Sequence, residues 1–424
     1  MENSINDLNQ SITLLERLHR AVSERHEVSV TSSDRKAMKL ASSFQTAREH
    51  AVSLFNALVR SWEADCHQEH EAKIYLEGIK ILKYEKDTRW AYHKKKNPTK
   101  FKLILSSRDA NTSGFWHENI VEVLDDEDSY CLPIPAATII GPYRPQVHIM
   151  APVTISLDGT ITLIDVQNLC TTIDRANRER KSLKMYLASQ HRIQCRHIDC
   201  TNIPVSRYCN SVSLEDLLRP MPQTGSPVKI GLKNRMLLAL NLASTLLHLQ
   251  STPWLTGSWS KTAIEFLKRP APVNHVTAAN TSTTLFVDYH HPVISQRFLA
   301  SPQRRNVAGS LPPKEALLEL GIMLLEIWHE NTLEAYYGTT AMGQSGPSMP
   351  ADCWGRLMIA SMWLEDTDDP PLPLYHTAIS QCVKCFFGGT FSLPNWDDTQ
   401  FQKALYKDLL EPLFESCKQW ICNA

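Results

Sequence analysis

Three short strings carry the residue types that bind metal or attack carbon. In CHQEH, residues 66–70, Cys66 and His70 fall four apart and would share one face of a helix, offering two of the four ligands of a zinc site. CRHIDC, residues 195–200, and CVKC, residues 382–385, add further sulfur and nitrogen. None has the paired spacing of a zinc finger, and the three strings belong to different predicted elements. They therefore read as free cysteines packing as small hydrophobes. Cys195 and His197 sit two apart, on one face of a predicted strand, but no third group is identifiable to orient the imidazole for nucleophilic work. The acidic run Asp125, Asp126, Glu127 and Asp128 lacks the alternating ligands and glycine of a calcium loop and reads as a solvated turn. Neither a G-x-S-x-G nor an H-E-x-x-H string occurs.

The elements that would position these residues begin with helices. Ile5, Leu8, Ile12, Leu15 and Val22 repeat at helical spacing. After a Thr-Ser-Ser-Asp cap cluster at residues 31–34, a longer helix carries the stripe Leu40, Phe44, Ala47, Ala51, Phe55, Leu58 and Trp62. The two would form an antiparallel hairpin whose apolar faces need a further partner, either the downstream chain, the preferred reading, or a second molecule. A basic stretch at residues 90–102, with Lys94, Lys95 and Lys96 contiguous, reads as a solvated linker. β-rich runs follow at 101–105 and 119–123. VTISLDGTITLI, residues 153–164, alternates around Asp158-Gly159, the preferred pair for a two-residue hairpin turn. The pattern then predicts a helix over 165–180 and strands over 183–188 and 192–198. A short helix follows, opened by Ser213 with Asp216 in the reciprocal capping position. Residues 229–250 present a wide apolar face, 264–267 are strand-like, and 270–311 form a long polar stretch with little periodicity. Residues 315–329 predict a helix buried nearly all round, and further helices fall at 374–386 and 401–417.

The chain of 424 residues holds 44 basic and 45 acidic side chains, a net charge of −1. Such balance argues against a nucleic-acid or anionic-membrane binder, which needs a basic surface. With 43% hydrophobic residues the chain can bury real cores. Its 15 glycines are about half the usual share, which counts against a glycine-rich phosphate loop. No stretch reaches the roughly 20 apolar residues of a membrane span. The N-terminus lacks the layout of a secretory signal. Eleven scattered cysteines fit a reducing compartment. The expected location is cytoplasmic.

The order of elements over 100–424 resembles the protein-kinase fold: a small β-rich lobe with one helix, a hinge, then a mainly helical lobe. SLEDLL at 213–218 looks like the segment after the kinase hinge. LASTLLHL at 242–249 looks like the helix leading to the catalytic loop. LGIMLLEI at 320–327 looks like the buried central helix of the large lobe. More closely, the chain resembles a group of filamentous-fungal proteins with a C-terminal domain of unknown function, some described in connection with prion inhibition and propagation. The matching strings are LNLASTLLHLQSTPWL at 240–255, WSKTAIEFL at 259–267, LELGIMLLEI at 318–327, and AISQC at 378–382 followed by Phe386. Trp62, Cys66 and His70 also match, with Ala64 where the family string has cysteine. The resemblance implies an α+β fold: a helical segment over 1–95, a small β-rich kinase-like lobe over 96–220 and a helical large lobe over 221–424.

Phosphoryl transfer needs backbone N–H groups over the phosphates, a strand lysine, a catalytic aspartate and metal ligands. No G-x-G-x-x-G lies in the small lobe, and no lysine lies between Lys102 and Lys181. In TGSWSKTAIEF, residues 256–266, the slot resembling the catalytic aspartate holds no carboxylate. Lys261 stands near the position of the catalytic-loop lysine, and on its own is an ion-pair or solvent lysine. Asp288, in Val287-Asp288-Tyr289, is the nearest likeness to a metal-binding aspartate. The expectation is a non-catalytic signalling or interaction protein, with no cofactor, no metal, protein partners and possible self-association. The hairpin and residues 270–311 are its expected contact surfaces. The alternatives are an atypical kinase or other nucleotide-dependent enzyme, and a self-assembling fungal incompatibility or cell-death component.

Overall fold

The computed structural model describes residues 32–62, 69–76, 99–107, 116–124, 163–179, 181–199, 211–219, 230–255, 259–270, 285–299, 311–340, 348–366, 369–388 and 394–421. The expected helix at 5–22, the lysines at 94–96, the acidic run at 125–128, Cys66, and the Asp158-Gly159 turn lie outside them.

The fold is mixed α+β, with a helical N-terminal segment. Helix α1, Ser32–Ser61, buries Leu40, Phe44, Ala47, Ala51, Phe55 and Leu58, the face its 3.6-residue spacing predicts. That face packs on its own chain, against the sheet and the later helices. Among the described residues ten strands follow: β1 Glu69–Tyr75, β2 Lys100–Ser107, β3 Trp116–Val123, β4 Ile164–Asp165, β5 Lys181–Ala188, β6 Arg192–Asp199, β7 Ser211–Ser213, β8 Ile264–Pro270, β9 Leu285–Val287 and β10 Val293–Leu299. Their order in the sheet is β4-β6-β5-β3-β2-β1-β10-β8-β7, with β9 added on β8. Among the described strands only β3 and β5 pair in parallel. The chain between them holds α2, Leu169–Arg178, which packs on β5.

Alternation gives the sheet two chemically different faces. Ala72 and Ile74 of β1, Phe101, Leu103 and Leu105 of β2, Val121 and Val123 of β3 and Ile264 and Phe266 of β8 point into the helical core. The other face carries cross-strand charges. Lys100 and Lys184 meet Glu122 at 2.7 and 3.0 Å, and Lys102 pairs with Glu118.

The helices are α3 Leu214–Leu218, α4 Leu232–Leu249, α5 Pro313–His329, α6 Leu333–Thr339, α7 Cys353–Leu364, α8 Pro373–Lys384, α9 Thr399–Leu405 and α10 Glu411–Ile421. One π turn, Tyr406–Leu410, joins the last two. Ser213 and Asp216 form the expected reciprocal cap of α3. Asp352 and Thr332 cap α7 and α6. Helices α4 and α5 are apolar on most sides and form the centre, with α8 and α10 packed around them. No described helix is long and apolar enough to cross a membrane.

Two expectations are corrected. His70 lies in strand β1, not on the helix that its spacing from Cys66 predicts. Its segment alternates Ala72 and Ile74 with Glu71, Lys73 and Tyr75, a period of two that the sheet satisfies on both sides. The polar stretch 270–311 contains β9 and β10. Strand β10 lies between β1 and β8 near the middle of the sheet, with Val293 and Ile294 fully buried. The sheet thus takes strands from residues 69–299 and runs across positions 95 and 220, where the sequence divides the chain.

Candidate functional site

Strand β8 organises the charged groups singled out by sequence. Lys261 precedes it in a turn closed by the Ala263 N–H donating to the Ser260 carbonyl at 3.0 Å. The Lys261 carbonyl accepts from the Glu215 N–H at 3.2 Å, tying the turn to the first residues of α3. The Lys261 ammonium donates to Glu326 Oε1 at 2.7 Å and to Glu334 Oε2 at 2.5 Å. Glu326 is fully buried within α5, and its Oε1 also accepts from the Leu333 N–H at 2.8 Å, at the start of α6. Burial opposes the lysine's charge, but the two carboxylates outweigh it and hold the ammonium above its ordinary range. Burial pushes Glu326 up, with Lys261 and the Leu333 N–H acting against it. Nearby, Arg356 of α7 meets Glu319 of α5 at 2.8 Å. The group joins four elements through one lysine.

Asp288 follows β9. Its N–H donates to the Leu267 carbonyl at 3.0 Å, and its carboxylate accepts from the His290 N–H at 3.3 Å. Both carboxylate oxygens lie 3.0 Å from His291 Nδ1. Asp288 is buried, and this Asx-type turn reverses the chain between β9 and β10. Lys261 and Asp288 engage different partners: the ammonium meets Glu326 and Glu334 of α5 and α6, and the carboxylate meets His291.

A third charge centre escapes sequence reasoning. Lys73, at the middle of β1, is buried on the sheet's charged face, with its ammonium 2.5 Å from Glu265 of β8 and 3.7 Å from Glu71. Ser295 Oγ donates to the other oxygen of Glu265 at 2.9 Å. The register explains the meeting, because Lys73 pairs with Ser295 and Glu265 with Val293 across β10. Burial opposes ionisation of Glu265, but Lys73 and the serine hydroxyls hold its carboxyl below the usual range. Close by, the Lys102 ammonium lies 4.3 Å from the centre of the Tyr75 ring, and His291 meets that ring edge-on. The signal in sequence was the alternation of EHEAKIY, which places Glu71, Lys73 and Tyr75 together.

The sulfur groups separate. His70 is buried, stacked on Trp62 at 5.0 Å, with Nδ1 3.5 Å from Cys170 Sγ of α2. Cys195 faces the core from β6, and burial raises its thiol. Burial also raises Cys382 strongly, Cys385 to about 11 and Cys417 to about 12. These four are thiols at neutral pH, poor nucleophiles and poor metal ligands. Among the described residues no group of three or more histidine, cysteine or acidic side chains could hold a metal ion. The Lys261 and Lys73 centres link separate elements through ion pairs, and Asp288 with His291 closes a turn.

The family model described as a domain of unknown function (DUF7580) matches residues 41–420. No curated protein and no solved structure matches the chain.

Proposed function

We propose that this chain, which belongs to the DUF7580 family, is a non-catalytic cytoplasmic signalling or interaction protein built on a degenerate kinase-like module. The observation that carries the reading is the fate of Lys261. The one lysine at the position resembling a kinase catalytic loop is spent between Glu326 and Glu334, as a strut between β8, α5 and α6. Asp288, the nearest likeness to a metal-binding aspartate, is likewise engaged by His291 and the His290 N–H. The kinase-like part of the proposal draws support from element order. A helix between strands, the capped α3, α4, the Lys261 turn, the β8–β9 pair and then Asp288 follow in the sequence that a kinase uses. Its partners are other proteins or further copies of itself.

The test is phosphate transfer from γ-labelled ATP by the purified full chain, with a thermal-shift titration of ATP with and without Mg²⁺ beside it. The expected result is no transfer. Transfer abolished by D288N would overturn the proposal. An atypical nucleotide-dependent enzyme has one observation in its favour, the buried strand lysine Lys73 paired with Glu265. On that reading ATP raises the melting temperature, and K73M removes the rise while the unliganded protein stays folded.

A further inference from the structure

Helix α7, with the sequence CWGRLMIASMWL, has a single charged residue, Arg356, and Glu319 holds it at 2.8 Å. A helix apolar on all sides belongs in a core. Only half of this one is there. Ile359, Ala360, Trp363 and Leu364 are buried, and α7 packs against α5, α6 and α8. On the outer side Trp354, Met358 and Met362, spaced i, i+4, i+8, are 68%, 47% and 40% exposed. Leu372 and Leu374, at the head of α8, are 43% and 47% exposed. Single exposed apolar residues need no explanation, but a row at helical spacing forms a continuous stripe. Its composition, one tryptophan and two methionines, is that of an anchor beside adaptable contacts.

The surrounding charge selects the occupant. Asp352 caps the start of α7, and Glu365, Asp366 and Asp369 follow its end. Between residues 348 and 375 the only basic side chain among those described is Arg356, already paired. Two copies of this face brought together would oppose carboxylate to carboxylate, and an anionic bilayer would be repelled. We propose that the α7 stripe is a docking site for a basic amphipathic helix of a partner protein, with apolar residues on the stripe and lysines or arginines at the acidic rim. The three turns of α7 span about 18 Å, so a partner helix of similar length covers them. The inference rests on the interaction reading above and names its surface.

The probe is a fluorescently labelled helical peptide of about 18 residues with leucine on one face and lysine on the other. Its controls are a scrambled peptide and a leucine–glutamate counterpart, all titrated into the full chain by anisotropy. The expected result is saturable binding of the leucine–lysine helix alone. W354A/M358S should weaken it at least about tenfold, and E365Q/D369N should weaken it severalfold, with a matching loss in high salt. Both variants change exposed side chains, and unchanged melting temperatures show that they are folded. Equal binding of the scrambled peptide, or binding indifferent to W354A/M358S, overturns the proposal. So does a dimer that W354A/M358S dissociates, which gives the face to a second copy, or Trp354-dependent binding to anionic vesicles. Phosphate transfer by the protein would sink the interaction reading without touching this result, and loss of peptide binding would leave that reading in place.

Discussion

Lys261 Nζ lies 2.7 Å from Oε1 of Glu326, a carboxylate with no solvent exposure inside the most apolar helix of the chain's centre. A buried charge pair adds little net stability over an apolar replacement, because desolvation offsets most of the attraction. Removing one partner is different, since it strands the other. K261A should therefore destabilise the protein by about 3–5 kcal/mol, whereas K261M/E326L should recover most of that loss. Urea unfolding of the wild type, K261M, E326L and the double variant measures the coupling, with K261A beside them. A K261A midpoint equal to that of the wild type would show that the lysine is idle.

Gly321 of α5 packs tightly against α8. A Cβ at that position would sit 2.9 Å from Val383 Cγ2 and 3.1 Å from both Cys382 Cβ and the Val383 backbone nitrogen. Alanine is favoured over glycine in a helix by about 1 kcal/mol, so propensity alone predicts that G321A stabilises. The backbone contact cannot give way as a side chain can, and overpacking of this kind costs about 1–3 kcal/mol. G321A should lower the melting temperature despite the better helix former. G338A has nothing within 4 Å of its Cβ and provides the propensity effect without the clash.

What the sequence shows of this fold follows the range over which its signals act. Helix α1 and the central α4 and α5 announce themselves through apolar spacing, and α3 through its Ser213 cap, because those patterns complete within a few residues. Strands β2, β3, β5 and β6 show as β-rich local runs. Strand β10 does not, because VISQRFL gains its meaning from β1, more than two hundred residues earlier, and from β8. Lys261 and Asp288 were visible only through resemblance to another fold. Their engagement was not visible, because Glu326 and Glu334 lie 65 and 73 residues from Lys261. The Lys73–Glu265 pair spans 192 residues. Local patterns name a residue's type and face, and tertiary register decides its partner.

His248 supplies a pH dependence. Its ring lies between Phe44 and Phe101, at 6.4 and 6.1 Å, and its Nε2 has no hydrogen-bond partner. Burial, aided by Arg48 and His50, lowers its pKa to about 4 from an ordinary 6.5. Between those values the unfolded chain binds the proton and the folded protein does not, so stability falls as the pH drops from 6.5 towards 4. The loss has a ceiling of about 3 kcal/mol. H248F removes the titrating group and keeps an aromatic ring in the stack. The stability of H248F relative to the wild type should rise steadily across that window and be constant above pH 7. Urea unfolding in a pH series reads it directly, and parallel curves would exclude His248 as the source.

Trp254 holds α1 to the sheet. Trp254 is completely buried in the turn after α4, and its Nε1–H donates to the Ala51 carbonyl of α1 at 2.9 Å. Its ring meets Phe55 edge-on at 5.5 Å and Phe298 of β10 at 6.4 Å, and its own carbonyl accepts from Gln296 at 2.8 Å. One side chain thus joins the N-terminal helix to a central strand. W254F retains most of the packing and loses the indole donor, a change of about 1 kcal/mol, because the Ala51 carbonyl belongs to a helix and keeps an acceptor role there. W254A opens a cavity at the junction and should cost about 3–5 kcal/mol. Because α1 also packs on α4 and α9, the junction with the sheet should open before global unfolding. Limited proteolysis should then cut W254A within residues 32–62 faster than W254F or the wild type, with cleavage inside the described strands and α5 unchanged. Cleavage spread evenly over the chain would mean that α1 has no separate opening step and unfolds only with the core.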